Sequence, residues 1–155
     1  KAKRADLSAA DGDIGTTDNP FSVSVSEVKA SADNVYLEND RDLIVDEIHG
    51  KREDGTVQIR VDCDLTGKTA DSMISGGHLE AEINGNFGAP DDRMTTDIDS
   101  IKVKADNIYL DNISDKEITL KIPYEIKRTV IAENSLTDEN HVRLAPYGFI
   151  WLEIK

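Results

Sequence analysis

The sequence predicts an all-β fold, namely an antiparallel, immunoglobulin-like β-sandwich of about ten strands built from two repeated units. Three observations predict this fold. Apolar and polar residues alternate over most of the chain, turn-forming residues separate the alternating segments, and two segments resemble each other. With 155 residues, the chain is long enough for one domain or for two small ones.

The alternating segments follow one another from position 21 to the end of the chain. Each has apolar residues at every second position, which is typical of a strand with one buried and one solvated face. In chain order they are 21–25, 57–65, 79–83, 118–126 and 150–154. Turn-forming residues lie between them, at 32–34, 54–55, 76–77, 84–85, 105–107 and 146–148. Trp151 lies on the last strand, where we expect it to plug the core or the contact between the units.

Two segments of the chain are similar without gaps. Val28–Asn39 aligns with Ile101–Asn112, an offset of 73, and seven of the twelve pairs are identical. A weaker match aligns 56–59 with 119–122, an offset of 63. Together they predict an internal repeat with units at 21–93 and 94–155, preceded by a disordered leader at 1–20. The units are either separate domains or two halves of one shared core.

The charge of the chain excludes several classes of partner. A net charge of −13 argues against binding to nucleic acid or to an anionic membrane surface, and no apolar run is long enough for a membrane-spanning helix. Unit one carries a net charge of −9 and unit two −3. This difference predicts that unit one contacts a cationic partner, either a protein or a glycan. We expect the contact at its loops, 38–42, 49–55 and 84–92.

No residue pattern in the chain predicts catalysis or a cofactor. Cys63 is the only cysteine, which excludes an internal disulfide or a cysteine-rich zinc site, and its alternation with Val61 and Leu65 predicts a buried thiol. The three histidines, His49, His78 and His141, lack the spacing of metal ligands. His78 and His141 correspond in the weaker match, and we interpret them as structural.

Acidic residues near the unit boundary form a candidate calcium site. Oxygen-rich clusters at the junction of tandem β units can hold Ca²⁺, which requires about six to eight oxygen ligands. The candidate ligands are Asp91, Asp92, Asp97 and Asp99. The alternative is a solvated acidic face that prevents edge-to-edge pairing of strands.

The general pattern resembles the tandem immunoglobulin-like modules of bacterial extracytoplasmic proteins, although no diagnostic motif supports it. The chain begins at Lys1 rather than Met, so we expect a processed protein that is secreted or tethered at the cell surface through its N-terminus. The sequence therefore predicts a non-enzymatic binding or structural module. The alternatives are a calcium-stabilised adhesion module and, third, a hydrolase or inhibitor that uses the loops of unit one.

Overall fold

In a computed structural model of the chain, residues 2–122, 126–132, 135–138 and 141–154 are described, with only the backbone for 126–132, 135–138 and 154. Sixteen strands occur in these ranges. They are β1 (Arg4–Ser8), β2 (Phe21–Val23), β3 (Glu27–Ala32), β4 (Val35–Asn39), β5 (Leu43–Gly50), β6 (Thr56–Val61), β7 (Leu65–Gly67), β8 (Met73–Ile83), β9 (Asn86–Phe87), β10 (Met94–Lys104), β11 (Asn107–Asn112), β12 (Ile118–Lys121), β13 (Ile126–Ala132), β14 (Ser135–Asp138), β15 (His141–Leu144) and β16 (Phe149–Ile154).

The strands wind into a parallel β-solenoid of about five turns. Each turn passes three faces. Face A contains β1, β3, the second half of β5 and the first parts of β8 and β10. Face B contains β4, β6, the second parts of β8 and β10, and β12. Face C contains the first half of β5, then β7, β9 and the first part of β11.

Successive turns on faces B and C are related by a nearly constant step along the chain. The paired positions Val35, Val57, Leu79 and Ile101 follow one another on face B. Their step of 22 recurs in the hydrogen bonds that join one turn to the next, as between Asp64 and Asn86. The period of the solenoid is therefore 22 on most of these two faces.

The prediction of an antiparallel, immunoglobulin-like sandwich is wrong, although the all-β class is correct. Alternation of apolar and polar residues reports only that one side of a strand is buried. It is the same whether the next strand returns beside the first or lies one full turn above it. The long parallel pairings β6 with β8 and β8 with β10 show that the second arrangement holds here.

The predicted internal repeat of two units is also wrong, because neither of its offsets, 73 and 63, is a multiple of the solenoid period. Val35 pairs with Val57 on face B, whereas its supposed equivalent Ile108 pairs with Phe87 on face C. The shared Ala-Asp-Asn sequence instead marks two different corners of the solenoid. As a division into domains, 1–20, 21–93 and 94–155 stays a prediction; β8 and β10 pair across position 93.

The core consists of apolar side chains stacked in columns. On face C, Leu43, Leu65, Phe87 and Ile108 lie one above the other, and each is at most 1% exposed. Face B supplies a second column of four buried aliphatic residues, beginning at Val35. Burial of one such side chain stabilises the fold by about 1.5–3 kcal/mol, so these columns supply much of the driving force for folding.

Asn and Asp side chains connect successive turns at the corner between faces B and C. Asp64 Oδ1 accepts hydrogen bonds from the backbone N–H of Asn86 at 2.7 Å and from its side-chain amide at 3.1 Å. Asn86 Oδ1 accepts from the Asn107 amide at 2.7 Å, and Asp42 Oδ1 accepts from the N–H of Asp64 at 3.3 Å. The ladder satisfies corner N–H groups that no strand can pair.

Antiparallel strands cover the C-terminal end of the solenoid. β16 pairs with β11 and β13, while β15 pairs with β12 and β14. Trp151 is half-buried and lies against the ring of Tyr109, with centroids 5.1 Å apart. Of the predicted strand 118–126, residues 123–125 lie outside the described ranges. A solenoid needs such a cover because its last turn would otherwise leave an open strand edge.

Within the predicted leader, residues 4–8 form β1, which pairs in parallel with β3. Ion pairs hold this strand. Arg4 contacts Asp6 at 2.8 Å, Asp46 at 2.9 Å, and Glu27, while Lys68 contacts Glu27 at 2.7 Å. The hydrogen bond from Arg4 holds the pKa of Asp6 and of Asp46 below its ordinary value, and the bond from Lys68 does the same for the pKa of Glu27.

The pH dependence of stability provides a test of this network. Because folding lowers these pKa values, the ion pairs stabilise the folded state above the ordinary carboxylate pKa values, and the effect is lost as the pH falls through the lowered ones. We expect Arg4→Met to reduce the fall in melting temperature between about pH 6 and pH 3, measured by circular dichroism. Arg41→Met, which removes an ion pair with Asp40 alone, should change it less. Equal falls in all three proteins would contradict the prediction.

Two glycines with left-handed backbone test the packing of the turns. A Cβ at Gly88, where φ is +80°, would lie well under 3.0 Å from the carbonyl oxygen of Tyr109 in the next turn. At Gly12, where φ is +97°, it would meet nothing within 4 Å. Backbone strain should lower the free energy of unfolding of Gly12→Ala by about 1–2 kcal/mol. Gly88→Ala adds a clash and should lose roughly 3 kcal/mol or more in urea titrations. Equal losses would contradict the close contact.

Candidate functional site

Face B presents its outward side chains in straight rows. Since parallel strands stack in register, equivalent side chains of successive turns lie about 4.8 Å apart. The first row contains Thr56, His78, Ser100, Thr119 and Arg143. The second contains Tyr36, Gln58, Glu80, Lys102, Lys121 and His141. Both rows continue onto β15, because this strand pairs directly with β12.

An open groove of about 470 Å³ runs along these two rows. It begins at Thr56 and ends at His141, and therefore spans four parallel strands and β15. Its polar lining consists of Thr56, His78, Glu80, Ser100, Lys102, Thr119, Lys121 and His141. The lining thus offers hydroxyl, imidazole, carboxylate and ammonium groups at the spacing of the strands.

Cations outnumber carboxylates on this part of face B, although the whole chain carries −13. The paired carboxylates are Glu80, which binds Lys102, and Glu82, which binds Lys104 at 2.5 Å. Lys121 and Arg143 form no ion pair with any carboxylate whose side chain is described. The local charge of these six residues is therefore +2. A ligand with negative charge fits this end of the groove.

A serine and a histidine share a hydrogen bond inside the groove. His78 Nδ1 lies 2.6 Å from Ser100 Oγ. The same contact occurs outside the groove, where His49 Nδ1 lies 2.8 Å from Ser75 Oγ on face A. The bond joins neighbouring turns on both faces. The structural interpretation of His78 and His141 stays a prediction. The geometry can bind hydroxyl groups, since both side chains donate and accept hydrogen bonds.

A tyrosine with strained backbone follows the last strand that lines the groove. Tyr147 has φ +58° and its side chain is 71% exposed. It lies in the loop that follows β15, next to the loop between β11 and β12, where Ile113 is 43% exposed. Left-handed backbone is uncommon for a bulky residue and is concentrated at functional sites. The sequence predicts a turn at 146–148 but not the left-handed backbone of Tyr147, because the conformation of a loop is set by its tertiary contacts.

The four aspartates of the predicted calcium site lie along one connection and the strand after it. Asp91 and Asp92 are in the turn before β10, and Asp92 exchanges backbone hydrogen bonds with Ala89. Asp97 and Asp99 are exposed on β10, and Asp99 binds Lys116 at 2.8 Å. In the described part of the chain, no group of three or more His, Cys, Asp or Glu residues is arranged to hold a metal ion. The calcium site stays a prediction.

The structure corrects the prediction for Cys63 and separates His49 from the other two histidines. Cys63 is exposed rather than buried, because β6 ends at Val61 and the corner that follows interrupts the alternation. His78 and His141 both line the groove, whereas His49 does not. Of the predicted contact loops, 38–42 and the start of 84–92 lie at the corner between faces B and C, two turns apart, whereas 49–55 lies at the corner between faces A and B.

Sequence reasoning also missed Lys102, Lys121 and Arg143 as site residues. Their signal was the period of the solenoid, visible in Asp42-Leu43, Asp64-Leu65, Asn86-Phe87 and, one position short, Asn107-Ile108.

Comparison with protein-family models, with curated proteins and with solved structures finds no match to this chain. Among the residues that the structure describes, there is no helix with the length and apolarity needed to cross a membrane.

The backbone strain at Tyr147 predicts that a glycine at this position stabilises the fold. Replacement by glycine relieves about 1–2 kcal/mol of left-handed strain and adds about 0.5–1 kcal/mol of backbone entropy, while little buried surface is lost. We therefore expect Tyr147→Gly to raise the free energy of unfolding by up to about 1 kcal/mol, measured by urea titration. The control Tyr36→Gly, at a half-buried position within β4, should lower it. A loss of stability in Tyr147→Gly would show that the ring supports the fold.

Proposed function

We propose that this protein is a non-enzymatic, extracytoplasmic binding module, and that its groove on face B binds an extended ligand carrying carboxylate groups. The observation that carries the proposal is the reversal of charge at the groove. Lys121 lines the groove, and Arg143 stands beside it, paired with Thr119 of the lining. Neither has a carboxylate partner among the described side chains, in a chain of net charge −13.

The shape of the site supports an extended ligand. The groove crosses successive strands, so a chain molecule lying in it meets one new pair of side chains about every 4.8 Å. Those side chains include hydroxyl groups from Ser100 and Thr119 as well as cations. Arg143 can bind a carboxylate through two hydrogen bonds at once, which gives the ligand a fixed end.

The hydrogen-bond partners of the groove residues favour binding over catalysis. Ser100 is bonded to His78, but no described carboxylate orients that imidazole, as a general base would require. A hydrolase that uses His49 is disfavoured because His49 lies on another face. The acidic loops of unit one stay a second candidate surface for binding a partner. No contact among the described residues favours them over the groove.

Removing Lys121 and Arg143 tests the site. We expect the double variant Lys121→Gln, Arg143→Gln to bind polygalacturonate and poly-L-glutamate roughly tenfold more weakly than the unmodified protein, since each cation contributes a charge-assisted hydrogen bond. The measurement is isothermal titration calorimetry at low ionic strength. Added salt should weaken binding of the unmodified protein, because these charges are exposed.

A matched variant separates the site from total charge. Lys29→Gln, Arg52→Gln removes one lysine and one arginine from surface pairs with Glu47 and Asp33, away from the groove. It should retain affinity within about twofold, since the charge lost is the same but its place is different. If the unmodified protein binds neither polyanion, or if both double variants lose affinity equally, the proposed function is wrong.

A further inference from the structure

The loop of Tyr147 is fixed by a buried asparagine. Asn112 is 1% exposed, and its backbone N–H donates to the Gly148 carbonyl at 2.8 Å while its side-chain amide donates to the Ala145 carbonyl at 3.1 Å. Its Oδ1 accepts from the N–H of Ser114 at 3.1 Å, in the neighbouring loop. These bonds tie the residues on either side of Tyr147 to the neighbouring loop.

The loop that carries Tyr147 begins where the first row of face B ends. Arg143 belongs to that row, and the Tyr147 loop begins directly after the next residue, Leu144, at the end of β15. Ile118, paired with Leu144, is preceded by the loop that carries Ile113. Only Leu144 therefore separates Arg143, the cation beside the groove, from the loop that carries the exposed ring.

The ring of Tyr147 contributes little to the stability of the fold. Its left-handed backbone destabilises the fold, and at 71% exposure it gains little from burial. An exposed aromatic ring offers a flat apolar face with a polar tip. A sugar ring has the complementary form, with an apolar face of C–H groups and hydroxyl groups at its edge.

We propose that Tyr147 is a stacking platform for a sugar ring, and that the ligand of the groove is an acidic polysaccharide. This inference rests on the proposed function, since it takes the groove as the site. Stacking on Tyr147 positions one ring, and Arg143 and Lys121 then bind the carboxylates of the rings beyond it. A peptide of glutamate alone would use the cations but would have no ring for the platform.

Two polyanions of opposite backbone chemistry test the platform. We expect Tyr147→Ala to weaken binding of polygalacturonate about five- to tenfold and to leave poly-L-glutamate within about twofold, because only the sugar stacks. Tyr147→Phe, which keeps the ring, should retain the affinity for polygalacturonate. Melting temperatures of the variants, measured beside the calorimetric titrations, report any loss of fold.

The outcomes separate this inference from the proposed function. Binding of poly-L-glutamate but not polygalacturonate by the unmodified protein would overturn the platform and leave the anion-binding groove standing. An equal effect of Tyr147→Ala on both ligands, or no effect on either, would also overturn it. Binding of neither polyanion by the unmodified protein would overturn the proposed function itself.

Discussion

In-register stacking of successive turns is the constraint on which the rest of this structure depends. Each buried side chain must fit the one in the turn below, so insertions are confined to corners. The connection at 51–55 shows this, because β5 and β8 pair on face A with a longer step along the chain than β6 and β8 on face B. The step is 26 between His49 and Ser75, against 22 between His78 and Ser100. The core columns continue without a break past the longer corner.

The same stacking governs the surface. Side chains in one row are about 4.8 Å apart, so like charges in consecutive turns would repel. One row of face B accordingly alternates in sign, from Glu38 through Arg60 and Glu82 to Lys104. Toward the C-terminal end this balance gives way to an excess of cations at β12 and β15. The candidate site therefore arises where the regular turns meet their cover.

Particular residues show how far the sequence could predict the site. The sequence relates His78 to His141 through the weaker internal match, but only the winding of the chain brings both to one groove. Lys121 and Arg143 are 22 positions apart in the chain, which is one solenoid period. They nevertheless lie in two adjacent rows, because β12 and β15 are antiparallel. Cys63 was misplaced because alternation was carried through a corner, where the chain changes direction and side chains no longer alternate.

The sequence by itself determined that the protein is built from half-buried strands, that it is strongly acidic and that its turns fall at defined positions. These properties are local, since they depend on the side-chain period of a strand and on the preferences of Asn, Asp and Gly for turns. Only the tertiary structure decided that the strands are parallel, that the repeating unit is a single turn of the solenoid and that cations collect on one face. Those depend on which strand lies beside which, and pairing between distant strands leaves alternation within each strand unchanged.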